Sequence, residues 1–267
     1  MRGLISLPEL ISLSKSNGMD TLALTDVNGM WGFIRFVQQC KDAGIQPIAG
    51  TNLITEKDEV VLLAENQFGY ENICRAVSAV HDNPNQSVAD ILKKKCAGLF
   101  ILAHDKPTIK TLMDFIPDTH LFVELRPGIQ ESSAHALAKE LKLEVVATGD
   151  VYFRSPRDHD AHITLRAIEN NTTVEQLNQS KCKTNQHWFR READMVKLFP
   201  NSLDALNNSR YLADRCKRDW SFINTIFPGL SLKETHRSNE ILKEKVYEGA
   251  KIRYGDINDD IRQRIQY

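Results

Sequence analysis

This sequence predicts an α/β architecture, a largely parallel sheet covered on both faces, as in a β/α barrel or a doubly wound sheet. Three observations predict it. The strand-length segments are continuous apolar runs rather than alternating ones, as in strands buried on both sides. Most of them are separated by segments of helical period, the alternation that lays crossover helices over a sheet. The 267 residues, 42% hydrophobic with only 13 Gly and 9 Pro, supply apolar material for one large core or two smaller ones and exclude a low-complexity chain.

Leu4 to Asn17 has apolar residues at helical spacing, with Ser6 and Glu9 placed as a capping box, Pro8 in the first turn and Gly18 as a stop. Thr21 to Thr25 is a short apolar strand ending in the polar turn Asp26-Val27-Asn28-Gly29, and Met30 to Ala43 returns to helical period before Gly44. Strands follow near Pro47 to Ile54 and Val60 to Ala64, then helices at Tyr70 to Val80 and Val88 to Lys94. A strand at Leu99 to Ala103, a helix at Thr108 to Phe115, a strand at Leu121 to Leu125, a helix at Glu131 to Leu141 and a strand at Glu144 to Thr148 complete the alternation. Beyond Asp150 the pattern is helical: Asp158 to Asn170, Arg190 to Phe199, Leu203 to Arg218 and Ser238 to Tyr254, with a polar loop from Asn171 to Gln186. One domain over residues 1–225, strand-rich at 20–150 and helical at 155–220, is therefore expected to lead into a helical segment at 226–267.

Lys and Arg total 34 against 35 Asp and Glu, so the net charge of −1 provides no general attraction for a polyanion, and no DNA-contacting residue can be named. The clusters Lys93-Lys94-Lys95, Arg190-Arg191 and Arg215-Cys216-Lys217-Arg218 read as solvated helix faces. Five scattered cysteines without a CxxC pair read as reduced core thiols, and no apolar run is long enough to span a bilayer, so a cytoplasmic protein without membrane contact is expected. No glycine pattern for a phosphate cradle and no nucleophile elbow is present.

In parallel α/β folds side chains that do chemistry collect where strands end. Three such ends are polar here: Asp26, His104-Asp105 and Gly149-Asp150. Asp26 reads as the organiser of its own turn. His104 reads as a strand-end residue satisfied by backbone groups or as a metal contact, and Asp150 as a turn acceptor ahead of Ser155-Pro156 or as a ligand. His159 and His162 share a helix face but look like a solvated helix start beside Asp158 and Asp160, while His81 and His187 have no evident partner.

The run Leu22-Ala23-Leu24-Thr25-Asp26-Val27-Asn28-Gly29-Met30-Trp31-Gly32, followed by Lys41-Asp42-Ala43-Gly44-Ile45-Gln46-Pro47-Ile48-Ala49-Gly50, resembles the PHP (polymerase and histidinol phosphatase) domain of bacterial DNA polymerase III α subunits. The resemblance continues through Leu62 to Asn66, Gly69 to Asn72, Val146 to Phe153, Asp160-Ala161-His162, Ala213 to Cys216 and Gly249 to Gly255. It implies a distorted β/α barrel-like PHP domain whose intact members hold up to three divalent metals through His, Asp and Glu. It also implies departures. The family's first strand, with its H-x-H motif, precedes the segment resembling Arg2-Gly3-Leu4 and is absent here; Val27, Asn52 and Tyr152 stand where the family has His, Glu and His. An aliphatic side chain cannot ligate a metal, and an amide or phenol is a poor replacement for a carboxylate or imidazole. His104 and Asp150 remain as metal candidates, one short of the three protein ligands usual at a catalytic zinc.

The resemblance thus implies the amino-terminal PHP region of a replicative or error-prone polymerase, lacking the palm, unable to polymerise by itself and without a catalytic residue of its own. No cofactor is expected, with residual Zn or Mn as the exception. The implied partners are the remaining polymerase domains, replisome subunits and, through the parent protein, DNA. A structural and interaction module is the first reading; a metal-dependent phosphoesterase or 3'-5' exonuclease is the alternative.

Overall fold

The computed structural model describes residues 3–178, 182–217, 219 and 237–266. The chain divides into two compact units, Met1–Trp220 and Ser221–Tyr267. The first contains α1 (Leu7–Ser16), β1 (Thr21–Val27), α2 (Phe33–Ala43), β2 (Gln46–Ile54), β3 (Glu59–Ala64), α3 (Gln67–Asp82), α4 (Val88–Leu92), β4 (Leu99–Ala103), α5 (Lys106–Met113), β5 (Leu121–Leu125), α6 (Glu131–Leu141) and β6 (Glu144–Ala147). A 3₁₀ turn (Pro156–Asp158) and α7 (His159–Glu169), α8 (Glu192–Leu198) and α9 (Leu203–Arg215) follow. The second unit contains α10 (Ser238–Tyr254) and α11 (Asp259–Gln266), the latter too short and polar to stand out in the sequence. The expected helical end at Arg218 and the start of the expected 226–267 segment lie outside the described residues.

The six strands form one sheet in the order β1-β2-β3-β4-β5-β6. Pairs β1–β2, β4–β5 and β5–β6 are parallel, whereas β3 runs antiparallel to both β2 and β4. The largely parallel sheet expected from the sequence is found, with β3 as its one reversed strand among those described, and the reason for the reversal is length. Only residues 55–58 join β2 to β3, far short of the dozen residues a crossover needs, so the chain must turn back. Reversal puts Glu59, the first residue of β3, at the same end of the sheet as the carboxyl ends of its neighbours, opposite Ile54.

Each strand face has its own core. Ala49, Leu53, Leu62, Leu99, Ile101, Leu121, Val123, Leu125 and Val145 pack with α1 to α6 in the larger cluster. The opposite face carries Ile48, Leu63, Phe100, Leu102, Phe122 and Val146, packed with Leu212 of α9 and Cys216 just after it. Helix α9 crosses this face and ties it together. Asn208 Nδ2 and Ser209 Oγ donate to the Val145 and Ala147 carbonyls of β6 at 2.9 and 2.5 Å, Arg210 pairs with Asp20 just before β1, and Arg215 Nη2 meets Glu65 Oε1, past β3, at 2.5 Å. Edge β6 is thereby capped, whereas among the described residues β1 pairs only with β2, and it is half-buried along its whole length.

Several local expectations change. Ser6 precedes α1 in extended conformation but its hydroxyl makes no cap bond, and Glu9 instead lies 3.5 Å from Arg154. Of the five cysteines only Cys40 and Cys216 are buried; Cys74 is exposed, and Cys96 and Cys182 are intermediate. Arg190 is buried against the Trp188 ring and Arg215 lies over Phe100, so these basic residues are packed rather than solvated, while Lys93 to Lys95 are exposed. Asn28, in the left-handed region at φ 46°, extends the β1–β2 ladder with its side chain, accepting from Ile54 N and donating to Ile54 O, both at 2.7 Å.

Candidate functional site

Two-residue alternation decides which side chains meet at the carboxyl end of the sheet. On the α9 face Ile48 leads to Asn52, Val61 to Glu59, Leu102 to His104, Phe122 to Glu124 and Arg126, and Val146 to Thr148 and Asp150. The same stripe is therefore apolar under α9 and polar at the strand ends.

Arg126 is the centre of that polar end. Its Nη1 lies 3.1 Å from Glu59 Oε1, 3.7 Å from Glu124 Oε2 and 3.9 Å from Asp150 Oδ2, and its Nη2 lies 3.4 Å from Glu59 Oε2 and 3.3 Å from His104 Nε2. A second cation enters from the loop after α7: Lys183 Nζ meets Asp150 Oδ2 at 2.6 Å. His187 Nδ1 completes the surroundings of Asp150, 3.0 Å from its carbonyl and 3.2 Å from Oδ2. Thr148 Oγ1 donates to Glu124 Oε1 at 2.7 Å and Asn52 Nδ2 to Glu59 Oε1 at 2.8 Å.

The electrostatics follow from burial and from these two cations. Glu124 is 2% exposed, and burial pushes its carboxyl up to about 7 in spite of Arg126 and Thr148. For Asp150 burial acts in the same direction but is outweighed by His187, Lys183 and Arg126, which hold it well below the usual carboxylate range. Burial likewise opposes ionisation of Glu59 and loses to the Arg126 guanidinium and Asn52. Burial and the adjacent Arg126 push His104 below its usual value, favouring a neutral ring beside a guanidinium. Burial of Arg126 itself is more than offset by Glu124, Glu59 and Asp150, which keep it charged.

All the strand-end positions singled out in the sequence are located by this geometry. Val27 pairs with Asn52 across β1 and β2, and Asn52 touches Glu59; the Tyr152 ring lies 5.0 Å from Lys183 Nζ. His104 faces Arg126 and, at 3.8 Å, Glu124, so it is not a residue satisfied by backbone groups. Asp150, at φ 41°, is engaged with Lys183 and His187, and the turn at Ser155-Pro156 is closed by Asp158 instead. Asp26 Oδ2 accepts from Gly32 N at 3.1 Å, at the residue that precedes α2, a bond beyond the Asn28-Gly29 turn that the sequence suggested for it.

The histidines read as ordinary or solvated also need correcting. His162 is buried and its Nε2 accepts from Lys183 N at 3.1 Å, while His159 Nε2 lies 3.0 Å from Lys183 O. With His187 on Asp150, these rings frame the segment that presents Lys183. His81 also has a partner, its Nε2 being 2.7 Å from Asn28 O. Glu59, Glu124, Arg126 and Lys183 were not selected from the sequence; the period-two stripe through Phe122, Glu124 and Arg126 was a usable signal, whereas nothing local pointed to Lys183.

A divalent cation does not fit this arrangement. Among the described residues no three His, Cys, Asp or Glu side chains converge as a metal-holding group. The space between the three carboxylates is taken by Arg126 Nη1, 3.1 Å from Glu59, 3.7 Å from Glu124 and 3.9 Å from Asp150. The geometry defines a charge-neutralised polar cluster at the strand ends of an α/β protein.

The chain belongs to the PHP domain family, whose sequence profile matches residues 1–153. It is 31% identical to the DNA polymerase III subunit alpha of Pasteurella multocida over 81% of this chain and 22% of that protein. It is 27% identical to the error-prone DNA polymerase of Symbiobacterium thermophilum over 99% of this chain and 28% of that protein, and 25% identical to the Escherichia coli K12 DNA polymerase III subunit alpha over 99% and 26%. This chain therefore spans 22 to 28% of the length of these relatives. A crystal structure of a proposed metal-dependent phosphoesterase from Bifidobacterium adolescentis matches with a TM-score of 0.39 at 11% identity, over 56% of this chain and 83% of that one, too loose a likeness to bear on the chemistry. Among the described residues no helix is long and apolar enough to cross a membrane.

Proposed function

We propose that this chain is a non-catalytic PHP module of a DNA polymerase III α-type protein, acting as a structural and interaction part of a larger polymerase in replication or repair synthesis. The observation that carries the reading is Arg126: its guanidinium occupies the space between Glu59, Glu124, Asp150 and His104 where a hydrolytic site would need water and metal. His104 and Asp150, the remaining metal candidates, are engaged there by Arg126 and Lys183. Cross-links of this kind join the ends of β3, β5 and β6 to the loop bearing Lys183. They serve rigidity, because each charge is held by opposite charges in a site mostly removed from water.

The partners under this reading are the polymerase domains of the parent chain and replisome subunits, with DNA held by the parent protein. Hydrolysis is the test. Purified protein given Mn or Zn is expected to cleave neither p-nitrophenyl phosphate nor single-stranded DNA above background. Turnover that is abolished both by chelation and by Asp150→Ala would replace this reading with a metal-dependent phosphoesterase or exonuclease.

A further inference from the structure

We propose that the outer edge of β1 pairs with the same edge of a second copy of this chain, antiparallel and centred on Ala23, to form a two-fold symmetric dimer. The inference goes beyond the reading of a polymerase module and does not depend on whether the strand-end cluster is catalytic.

Among the described residues β1 ends the sheet and is paired with β2 alone. Backbone groups of successive strand residues point to opposite sides, so one row faces the neighbour and the other faces out. The Asp20 carbonyl accepts from Gln46 N and the Asn28 N–H donates to the Asn52 carbonyl. The register between them is unbroken from Thr21 to Val27, so the even-numbered residues face β2. Thr21, Ala23, Thr25 and Val27 turn their N–H and C=O groups outward. Such a row is a template for another strand, and the devices that blunt an edge are missing from it: Thr21 to Thr25 has no Lys, no Pro and no bulge.

The sequence of the edge selects its occupant. Thr21-Leu22-Ala23-Leu24-Thr25 reads the same in both directions. A two-fold axis at Ala23 sets each residue opposite its own kind, Ala23 on Ala23, Leu22 on Leu24 and Thr21 on Thr25, the self-complementarity that an isologous interface requires. Because the run is odd in length, its centre falls on a residue, and outward-facing groups meet outward-facing groups. A centre between two residues would put them out of phase. The side chains also sort by face. Leu22 and Leu24 lie on the side of the larger core and Ala23 on the other, so leucine pairs align on one face and threonine pairs on the opposite one, both favourable across strands. The axis sets Asp20 opposite Asp26, but Arg210 at 2.7 Å already neutralises Asp20. One strand pair is a small interface, so the dissociation constant is expected to be about 10–500 µM.

The experiment is sedimentation velocity on the full chain over concentrations that bracket this constant, with Thr21→Lys, Ala23→Cys and Val27→Cys beside the wild type. The wild type is expected to pass from monomer to dimer with no larger species. Thr21→Lys adds a cation at both ends of the pairing and is expected to weaken the dimer about tenfold or more, its thermal midpoint at low concentration reporting that it folds. Mild oxidation of Ala23→Cys is expected to link the two copies at position 23, identified by mass spectrometry of the joined peptides, because paired Cα atoms about 5.5 Å apart are within disulfide reach. Val27, set opposite Met19 and far from its own counterpart, is expected not to link to itself in Val27→Cys. If Thr21→Lys does not fold, the link at position 23 decides. A chain that stays monomeric, an association that continues past the dimer, or a dimer that neither weakens in Thr21→Lys nor links at position 23 would overturn the proposal. Each of those results leaves the non-catalytic reading intact, since that reading fails on metal-dependent hydrolysis by the wild type.

Discussion

Arg126 Nη1 lies 3.1 Å from Glu59 Oε1, an ion pair between a residue just past β5 and the first residue of a strand that runs the other way. The pair exists because the four-residue connection after β2 forces β3 to reverse and brings Glu59 to the carboxyl end of the neighbouring strands.

Removing one partner of such a pair leaves a partly buried charge without compensation. Arg126→Ala in EDTA is therefore expected to cost about 3 kcal/mol in urea unfolding. The combination of Arg126→Met with Glu124→Gln, which removes charge of both signs, is expected to cost less than Arg126→Ala. Equal losses would mean that volume and not charge governs the site.

The anchor between α9 and the end of β3 has a pH signature. Burial opposes ionisation of Glu65, but Arg215 and His120 outweigh it and set the carboxyl below its usual value. A depressed folded-state pKa contributes stability that is present above the unfolded value, near 4.3, and is lost as pH falls through the folded one. Glu65→Gln is thus expected to be less stable than wild type by roughly 1 kcal/mol at pH 7, a modest figure because both partners are partly exposed. The gap should shrink as pH falls through the range in which the folded carboxyl takes up its proton. A difference that stays constant over this range in denaturant titrations would contradict the assignment.

Much of this fold was legible in the sequence. Segments such as Leu99–Ala103, Leu121–Leu125 and Glu131–Leu141 end where their apolar runs or helical periods end. The direction of β3 was not, because an apolar run such as Val60 to Ala64 has no polarity; only the shortness of residues 55–58 encoded it. The site was legible in part. His104 and Asp150 follow apolar runs directly, so strand-end logic finds them, whereas Glu59 sits at a strand start and Lys183 reaches Asp150 across 33 residues of chain. His187 was unreadable for the same reason, its partner Asp150 being 37 residues away.

The two edges of the sheet should differ in protection. Asn208 and Ser209 cap carbonyls on β6, while among the described residues β1 is paired with a strand on one side only. Backbone groups on the free side of an edge strand are open to water or to another strand. Native-state hydrogen exchange is expected to show alternate amides of Thr21–Val27 exchanging faster than those of the central strand β4. Uniform protection of β1, at concentrations where light scattering reports a monomer, would mean that its outer edge is covered.

Ser209 is the sharper probe of the capped edge. Its hydroxyl donates to the Ala147 carbonyl at 2.5 Å, and Ser209→Ala leaves that acceptor without its donor. The expected loss is about 1 kcal/mol in urea unfolding. An unchanged midpoint would show that water satisfies the carbonyl equally well.

The central claim is that positive side chains, not metal, balance the carboxylates at the strand ends. Elemental analysis of the purified wild-type chain, after equilibration with Mn²⁺ and Zn²⁺ and desalting, tests it most directly. The account expects far less than one metal ion per chain and no change on His104→Ala. Near-stoichiometric metal that is lost in His104→Ala would contradict it.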